Sequence, residues 1–212
     1  MNKKGGGKLF ENVFLEKLTH THIAVPLTIF YGSAVFLIFY TLYLGLLSPG
    51  ASIIMFAGGL IFFTLLEYLI HRYAFHIEPS SPSRVKFQYT VHGVHHDYPK
   101  DTSRLAMPPI LSILLATLFF ILYRLTMGHY GLPFASGFMA GYASYLCVHY
   151  IVHAYAPPKN FFKILWIHHA IHHYQQPDRA FGVSSPLWDL IFRTMPIKKE
   201  VASKYVKIDE PV

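Results

Sequence analysis

The stretch Ile53–His76, IIMFAGGLIFFTLLEYLIHRYAFH, decides the fold. From Ile53 to Leu66 it carries no charged side chain, and Glu67 is the first charge before the run ends at Ile70. A membrane helix needs about 20 largely apolar residues, range about 17–25, so residues 53–70 read as a span. His71 and His76 follow at once. The stretch therefore places the commonest metal-binding side chain at the edge of a lipid-embedded helix.

Three more apolar runs lie outward from it, at residues 23–47, 109–125 and 132–152. Ser48-Pro49-Gly50 joins the first to the second, and Gly128 to Gly131 joins the last two, both read as tight turns. The predicted fold is an all-α integral membrane protein with four transmembrane helices in two hairpins. Residues 1–22 form a polar, basic N-terminal segment with a short interfacial helix. Residues 23–212 form one membrane-embedded domain, its helical cap drawn from residues 71–107 and 153–212. Composition agrees: the 212 residues are 53% hydrophobic and 14% charged, against about 25% charged in an average soluble domain. The first run is too long for a secretory signal, and no A-x-A cleavage site follows it. The single cysteine, Cys147, excludes an intrachain disulfide and reads as a small buried apolar residue. The net charge of +7 does not form a basic stripe interleaved with stacking aromatics, which excludes nucleic acid as the partner. Of the 18 Lys and Arg, all but Arg124 fall in the N-terminal segment, in the 71–107 stretch or after His153. By the positive-inside rule both termini and the whole cap are cytoplasmic.

Ten histidines then converge on that face. They are His71 and His76; His92, His95 and His96 in HGVHH; His149 and His153 in HYIVH; and His169, His172 and His173 in WIHHAIHHY. Residues four apart share a helix face, so His149 and His153 can approach one ion or two neighbouring ions. In H-x-x-H-H the first histidine lies near both others, while the adjacent two diverge by about 100°. Each triplet can then serve one ion with part of itself and a second ion with the rest. His71 and His76, five apart, share no face of an ideal helix, so the helix is expected to end or distort between them. Ten ligands are too many for one ion, and the reading is a di-metal centre. His168 breaks the template and is placed behind the ligands. Glu67, Asp97, Asp101, Arg104, Asp178 and Asp189 are candidates to orient imidazoles or to stitch the cap together, because a ligating imidazole usually donates its other N–H to a partner. Oxidising an unactivated C–H bond needs a redox metal and O2, so two Fe ions are expected in the working protein. Zn is acceptable to the same ligands in a purified sample.

The order H-x4-H, H-x2-HH, H-x3-H, H-x2-HH, set among these spans, resembles the fatty acid hydroxylase and sterol desaturase superfamily. EYLIHRYAFH (Glu67–His76), HGVHHDYPKDTSRLAMPP (His92–Pro109), HYIVH and FGVSSPLWD (Phe181–Asp189) bring it nearest to fatty acid 2-hydroxylases. The resemblance covers about residues 50 to 195. It implies that the ten histidines bind the di-metal centre. It also implies O2-dependent hydroxylation at C2 of a fatty acid or of the acyl chain of a ceramide-type lipid. Relatives often carry a fused cytochrome b5 domain, whereas 22 residues precede the first span here. A separate electron donor, cytochrome b5-like or ferredoxin with its reductase, is then expected to dock on the cytoplasmic face. Relatives often have an Asp where this chain has Leu146, three residues before His149. Two enzymatic alternatives keep the site and change the lipid: a carotenoid ring hydroxylase and a sterol-type desaturase. A bis-histidine haem electron carrier is the alternative without an enzyme activity. A metal transporter is disfavoured, because the first and third spans offer almost no polar path.

Overall fold

The computed structural model describes residues 6–197; the first five residues of the predicted N-terminal segment and residues 198–212 of the predicted cap lie outside the described residues. The secondary structure is helical throughout this range. A short helix α1 (Val13–Leu18) precedes α2 (Ala24–Tyr43) and α3 (Pro49–Ile70). Then come α4 (Pro82–Gln88), α5 (Val94–Asp97), α6 (Pro109–Met127), α7 (Gly131–Ala154), α8 (Lys163–Tyr174) and α9 (Leu187–Ile191). Three stretches are long and apolar enough to cross a membrane: Ala24–Tyr43, Pro49–Phe75 and Thr102–Ala154. The last contains both α6 and α7, joined by the 3-10 turn Gly128–Tyr130. Large side chains such as Phe36 on α2 and Leu114 on α6 point outward, 61% and 65% exposed, as lipid-facing residues do. These features mark a membrane protein.

The long helices pack around α7. Its contact with α3 is backbone on backbone: a Cβ on Gly59 would lie 1.9 Å from the Phe134 carbonyl oxygen, and one on Gly137 1.9 Å from that of Phe56. Small residues permit this approach where lipid offers no hydrophobic drive for helix association. Phe56 meets Gly137 and Phe63 meets Gly141, so α3 and α7 run in the same direction. On α2, Ser136 Oγ donates to the Ala34 carbonyl at 2.6 Å, and Phe30 packs on Tyr142 at 4.8 Å; this helix is antiparallel to α7. The pairs Phe119–Phe138 and Tyr123–Phe134 make α6 antiparallel to α7 as well. The parallel α3 and α7 therefore bring His71, His149 and His153 to one end of the bundle.

Two local features differ from the sequence reading. The first reversal is not at Ser48-Pro49-Gly50. It falls earlier, at Gly45 with φ +59, while Ser48 caps α3 by accepting the Ala51 N–H at 3.3 Å and Pro49 opens the helix. Proline suits that position because its missing N–H would have no partner there. Beyond Ile70 the helix does distort as expected, into a π-helical turn over His71–Phe75 closed by His76 N–H on the His71 carbonyl at 3.2 Å. That turn brings residues five apart onto one face. A second π turn, Tyr89–Gly93, precedes the next histidines and was not anticipated. Cys147 is half-buried rather than buried.

Candidate metal centre

The ten histidines separate into two groups of five. One is His71, His76, His92, His96 and His172; the other is His95, His149, His153, His169 and His173. Within each, one nitrogen per ring lies within 4.8 Å of all the others. Helical spacing explains the sorting. In each H-x-x-H-H triplet the outer pair, four apart, goes to one group, and the middle histidine goes to the other. His92 and His96 face one centre while His95 faces the second; His169 and His173 face the second while His172 faces the first. The two triplets are thus interlocked in opposite senses.

Three rings have their orientation fixed by a backbone carbonyl. His71 Nδ1 lies 2.5 Å from the Phe181 carbonyl oxygen, His172 Nδ1 2.8 Å from that of Arg179, and His149 Nδ1 3.3 Å from that of Leu105. A carbonyl only accepts, so Nδ1 carries the proton, and a neutral ring then presents a bare Nε2 lone pair. His71 Nε2 faces His92 Nε2 at 3.0 Å, His96 Nε2 faces the same atom at 3.0 Å, and His149 Nε2 faces His95 Nε2 at 3.0 Å. His172 Nε2 is buried and has no hydrogen-bond partner. A single ring N–H on His92 cannot satisfy both neighbours. Two nitrogens bound at right angles to a metal about 2.1 Å away lie about 3.0 Å apart, so this donor set fits an ion at each centre.

Electrostatics favour the same state. Burial, followed by the neighbouring imidazoles, holds His92, His95, His169, His172 and His173 well below the ordinary histidine range. Burial pushes His76 down to about 4, and burial with its neighbours pushes His96 to about 3. Rings held neutral are the form that binds a metal. The groups are also too compact for a haem plane: the His71 and His172 ring centres are 4.5 Å apart in one, and those of His169 and His173 4.5 Å in the other. The bis-histidine haem reading has no place in this geometry.

Residues 56–194 match the family described as fatty acid hydroxylase. The chain belongs to the fatty acid hydroxylase family. It is 36% identical over 201 residues to a dihydroceramide fatty acyl 2-hydroxylase of Arabidopsis thaliana, covering 94% of this chain and 84% of that one. It is 36% identical to the fatty acid 2-hydroxylase of Mus musculus over 66% of this chain but only 39% of the mouse protein. A solved structure described as full-length scs7p, with only its hydroxylase domain visible, superposes with a TM-score of 0.82 at 32% identity. The superposition covers 92% of this chain and 74% of that one. The fatty acid hydroxylase family is metal-dependent, in keeping with the donor set.

In this family member several residues expected to orient imidazoles or to stitch the cap together hold the segments around the candidate ligand rings. Glu67, Asp101 and Asp189 are bonded to groups other than the candidate ligand rings, and carbonyl oxygens orient three of those rings. Two carboxylates act one step further back, on the loop Phe181–Ser184. Asp189 accepts the N–H groups of Phe181 and Gly182 at 2.9 and 2.8 Å, and Glu67 accepts those of Val183 and Ser184 at 2.8 and 3.0 Å. The Ser184 hydroxyl completes the second clamp on Glu67. Four consecutive amides are thereby held. Ala180, wholly buried, adopts φ +57 between the two carbonyls that orient His172 and His71. His168 does not face either centre: its Nε2 lies 3.0 Å from Asp189 Oδ2, and Thr194 Oγ1 also donates to Asp189 at 2.7 Å. Asp101 caps the 3-10 turn Thr102–Arg104 by accepting from Ser103. Arg104 pairs with Glu16 of the N-terminal segment. Asp178 is exposed, and Asp97 lies at the end of α5. The sequence reading missed Glu16, Leu105, Ser184 and Thr194.

A cavity of about 400 Å³ opens beside the histidines. His71 and His92 of one group and His95 and His149 of the other line it, with apolar side chains elsewhere such as Phe63, Leu66, Met107 and Leu111. A second hollow of about 100 Å³ shares Phe63, Leu66, Ile70, Met107 and Tyr142 with it and continues between α3, α6 and α7.

Proposed function

We propose that this protein hydroxylates a lipid acyl chain at C2, in a fatty acid or in the acyl part of a ceramide-type lipid, using a di-iron centre and O2. The single observation that carries the reading is the apolar cavity: it meets two imidazoles of each group and extends between the long helices. Phe63, Met107 and Leu111 line a path suited to hydrocarbon, and Tyr142 lies where the two hollows meet. The ten histidines are the proposed ligands, five to each ion. Iron there supplies the redox chemistry with O2 that an unactivated C–H bond requires; zinc, which the same nitrogens accept, does not change oxidation state. The protein's own part is to hold the rings neutral and fixed, to seat the chain, and to exclude water with Phe63, Leu66 and Leu146. Relatives named as fatty acid and dihydroceramide fatty acyl 2-hydroxylases support the reaction class.

The four long helices are read as four spans in two hairpins, with both termini and the metal centre on the cytoplasmic side. An external donor, cytochrome b5-like or ferredoxin with its reductase, supplies electrons there. The test is anaerobic iron loading of the full chain, then O2 with a reductase system, and mass spectrometry of the lipids. A hydroxyl on C2 of acyl chains is the expected product. Unchanged acyl chains with hydroxylated carotenoids or desaturated sterols would replace this reading with the alternatives that use the same site.

A further inference from the structure

Leu187, Leu190 and Ile191 stand three and four residues apart on α9 and so share one side of it. All three are exposed, Leu190 at 67% and Ile191 at 53%, and Phe192 extends the patch. From Phe181 to Phe192 the sequence holds one charged side chain, Asp189, and it is wholly buried. An apolar patch of this kind, without charge, marks a surface made for a partner. The neighbouring helix says which partner. Trp188 Nε1 donates to Thr64 Oγ1 at 3.0 Å, and Phe192 stacks on Tyr68 at 5.2 Å. Both partners belong to α3, whose 22 residues cover about 33 Å, against a hydrocarbon core of about 30 Å. Thr64 lies six residues before the last residue of α3, about 9 Å in from its histidine end. A helix bonded there is level with acyl chains rather than with water.

Resting on the reading of α3 as a span, we propose that α9 is seated among the acyl chains of the leaflet on the histidine side, and that this lipid contact steadies the segment that aims His71. Part of the cap is then embedded rather than aqueous. The backbone suits that setting, because in hydrocarbon each N–H needs a partner within the protein. Leu187 N–H donates to Ser185 Oγ at 3.2 Å, and the N–H groups of Leu190, Phe192 and Thr194 donate to the carbonyls of Pro186, Trp188 and Asp189 at 3.0, 2.8 and 2.8 Å. The indole N–H, the one polar group of Trp188, is satisfied by Thr64. Ile61, one turn deeper on α3, is 55% exposed, so the patch continues a lipid-facing surface. Arg193, exposed directly after Phe192, is placed to reach back to the headgroups. The link to the site is Asp189, set between Trp188 and Leu190. It accepts the Phe181 and Gly182 N–H groups, and the Phe181 carbonyl orients His71. Withdrawing α9 from lipid moves Asp189 and that loop with it.

Trp166 and Trp188 are the only tryptophans, so Trp166→Phe leaves Trp188 as the single reporter. The full-length, zinc-loaded variant is reconstituted in phosphatidylcholine vesicles, with and without bromine atoms near the headgroup end of the acyl chains. Bromolipid is expected to remove most of the Trp188 emission, and iodide in the water to leave it. Ile61→Trp, in a chain lacking both native tryptophans, reports on α3 by itself. Trp188 quenched by iodide and not by bromolipid, with Ile61→Trp quenched by bromolipid, overturns the proposal and leaves the span in place. Trp188 shielded from both quenchers means that protein covers α9, which overturns the proposal as well. No bromolipid quenching of Ile61→Trp removes α3 as a span and this proposal with it. The link to the site is read in Leu190→Asp. A carboxylate is costly in hydrocarbon, so iodide should reach Trp188 in this variant, and bound metal should fall from two ions per chain towards one. Leu190→Ser reads the same change in milder form where the aspartate variant does not fold. Continued shielding from iodide, or iodide access with both ions retained, overturns the coupling of lipid contact to the site.

Discussion

A histidine in either group does two jobs at once: one nitrogen faces its centre, and in three rings the other grips a carbonyl. His172 does both, with Nδ1 on Arg179 and Nε2 buried among its group. His172→Ala is therefore expected to lower bound metal from two ions per chain to one and to abolish turnover. His149→Ala should empty the other centre in the same way. Elemental analysis of the purified variants checks this, and two ions retained in His172→Ala would remove that ring from the ligand set. Protonation gives a second outcome. An unfolded histidine takes up a proton near pH 6.5, whereas burial holds folded His76 down to about 4 and His96 to about 3. As pH falls through this interval the unfolded chain binds more protons than the folded one, so stability declines with acid. Metal-stripped protein in detergent should keep a level unfolding temperature above about pH 7 and lose stability progressively from about pH 6.5 toward 4. A flat profile across that window would show that these rings are not held neutral in the cap.

At the scale of elements, the loop after α8 determines whether His71 and His172 stay aimed. Its four amides from Phe181 to Ser184 rest on two carboxylates, and Asp189 alone also takes His168 and Thr194. Asp189→Asn puts an NH2 group where N–H donors now converge. Losing hydrogen bonds of this charged, buried kind costs about 3–5 kcal/mol. Thermal unfolding should record that loss, and the centre that holds His71 and His172 should release its metal first. Glu67→Gln keeps one carbonyl oxygen for Val183 and Ser184, and the Ser184 hydroxyl can turn to accept, so about 1 kcal/mol is expected. Equal losses in the two variants would contradict this division of labour. The sequence showed this region only in part. The apolar runs and the histidine spacing were legible because side-chain identity and helical periodicity encode them directly. The distortion at His71–His76 was legible because five does not fit a 3.6-residue turn. The orienting carbonyls of Leu105, Arg179 and Phe181 were not, since every residue has a carbonyl and only the folded path selects three of them. Glu16 escaped for a related reason: its partner Arg104 lies 88 residues away.

For the whole molecule, the decisive relation is that α3 and α7 run in the same direction in backbone contact. Gly59 and Gly137 make that contact possible, and it sets the ends bearing His71 and His149 side by side. Gly59→Leu or Gly137→Leu would force the helices apart and should cost metal binding without touching a ligand. The same relation ties the site to a side of the membrane. If the long helices form two hairpins, Ser48 and His129 lie at the face opposite the histidines, and Lys100 and Lys159 lie at the histidine face. All four residues are exposed. The proposed orientation, drawn from the charge asymmetry of the loops, puts the histidine face in the cytoplasm. In a Cys147→Ala background, a membrane-impermeant maleimide applied to intact cells should label Ser48→Cys and His129→Cys. Lys100→Cys and Lys159→Cys should react only after permeabilisation. The reverse pattern would keep the two hairpins and invert the proposed orientation, and with it the side on which the proposed donor docks. Labelling of Ser48→Cys and Lys100→Cys from the same side would break the four-span reading itself, because α3 would then not separate its two ends.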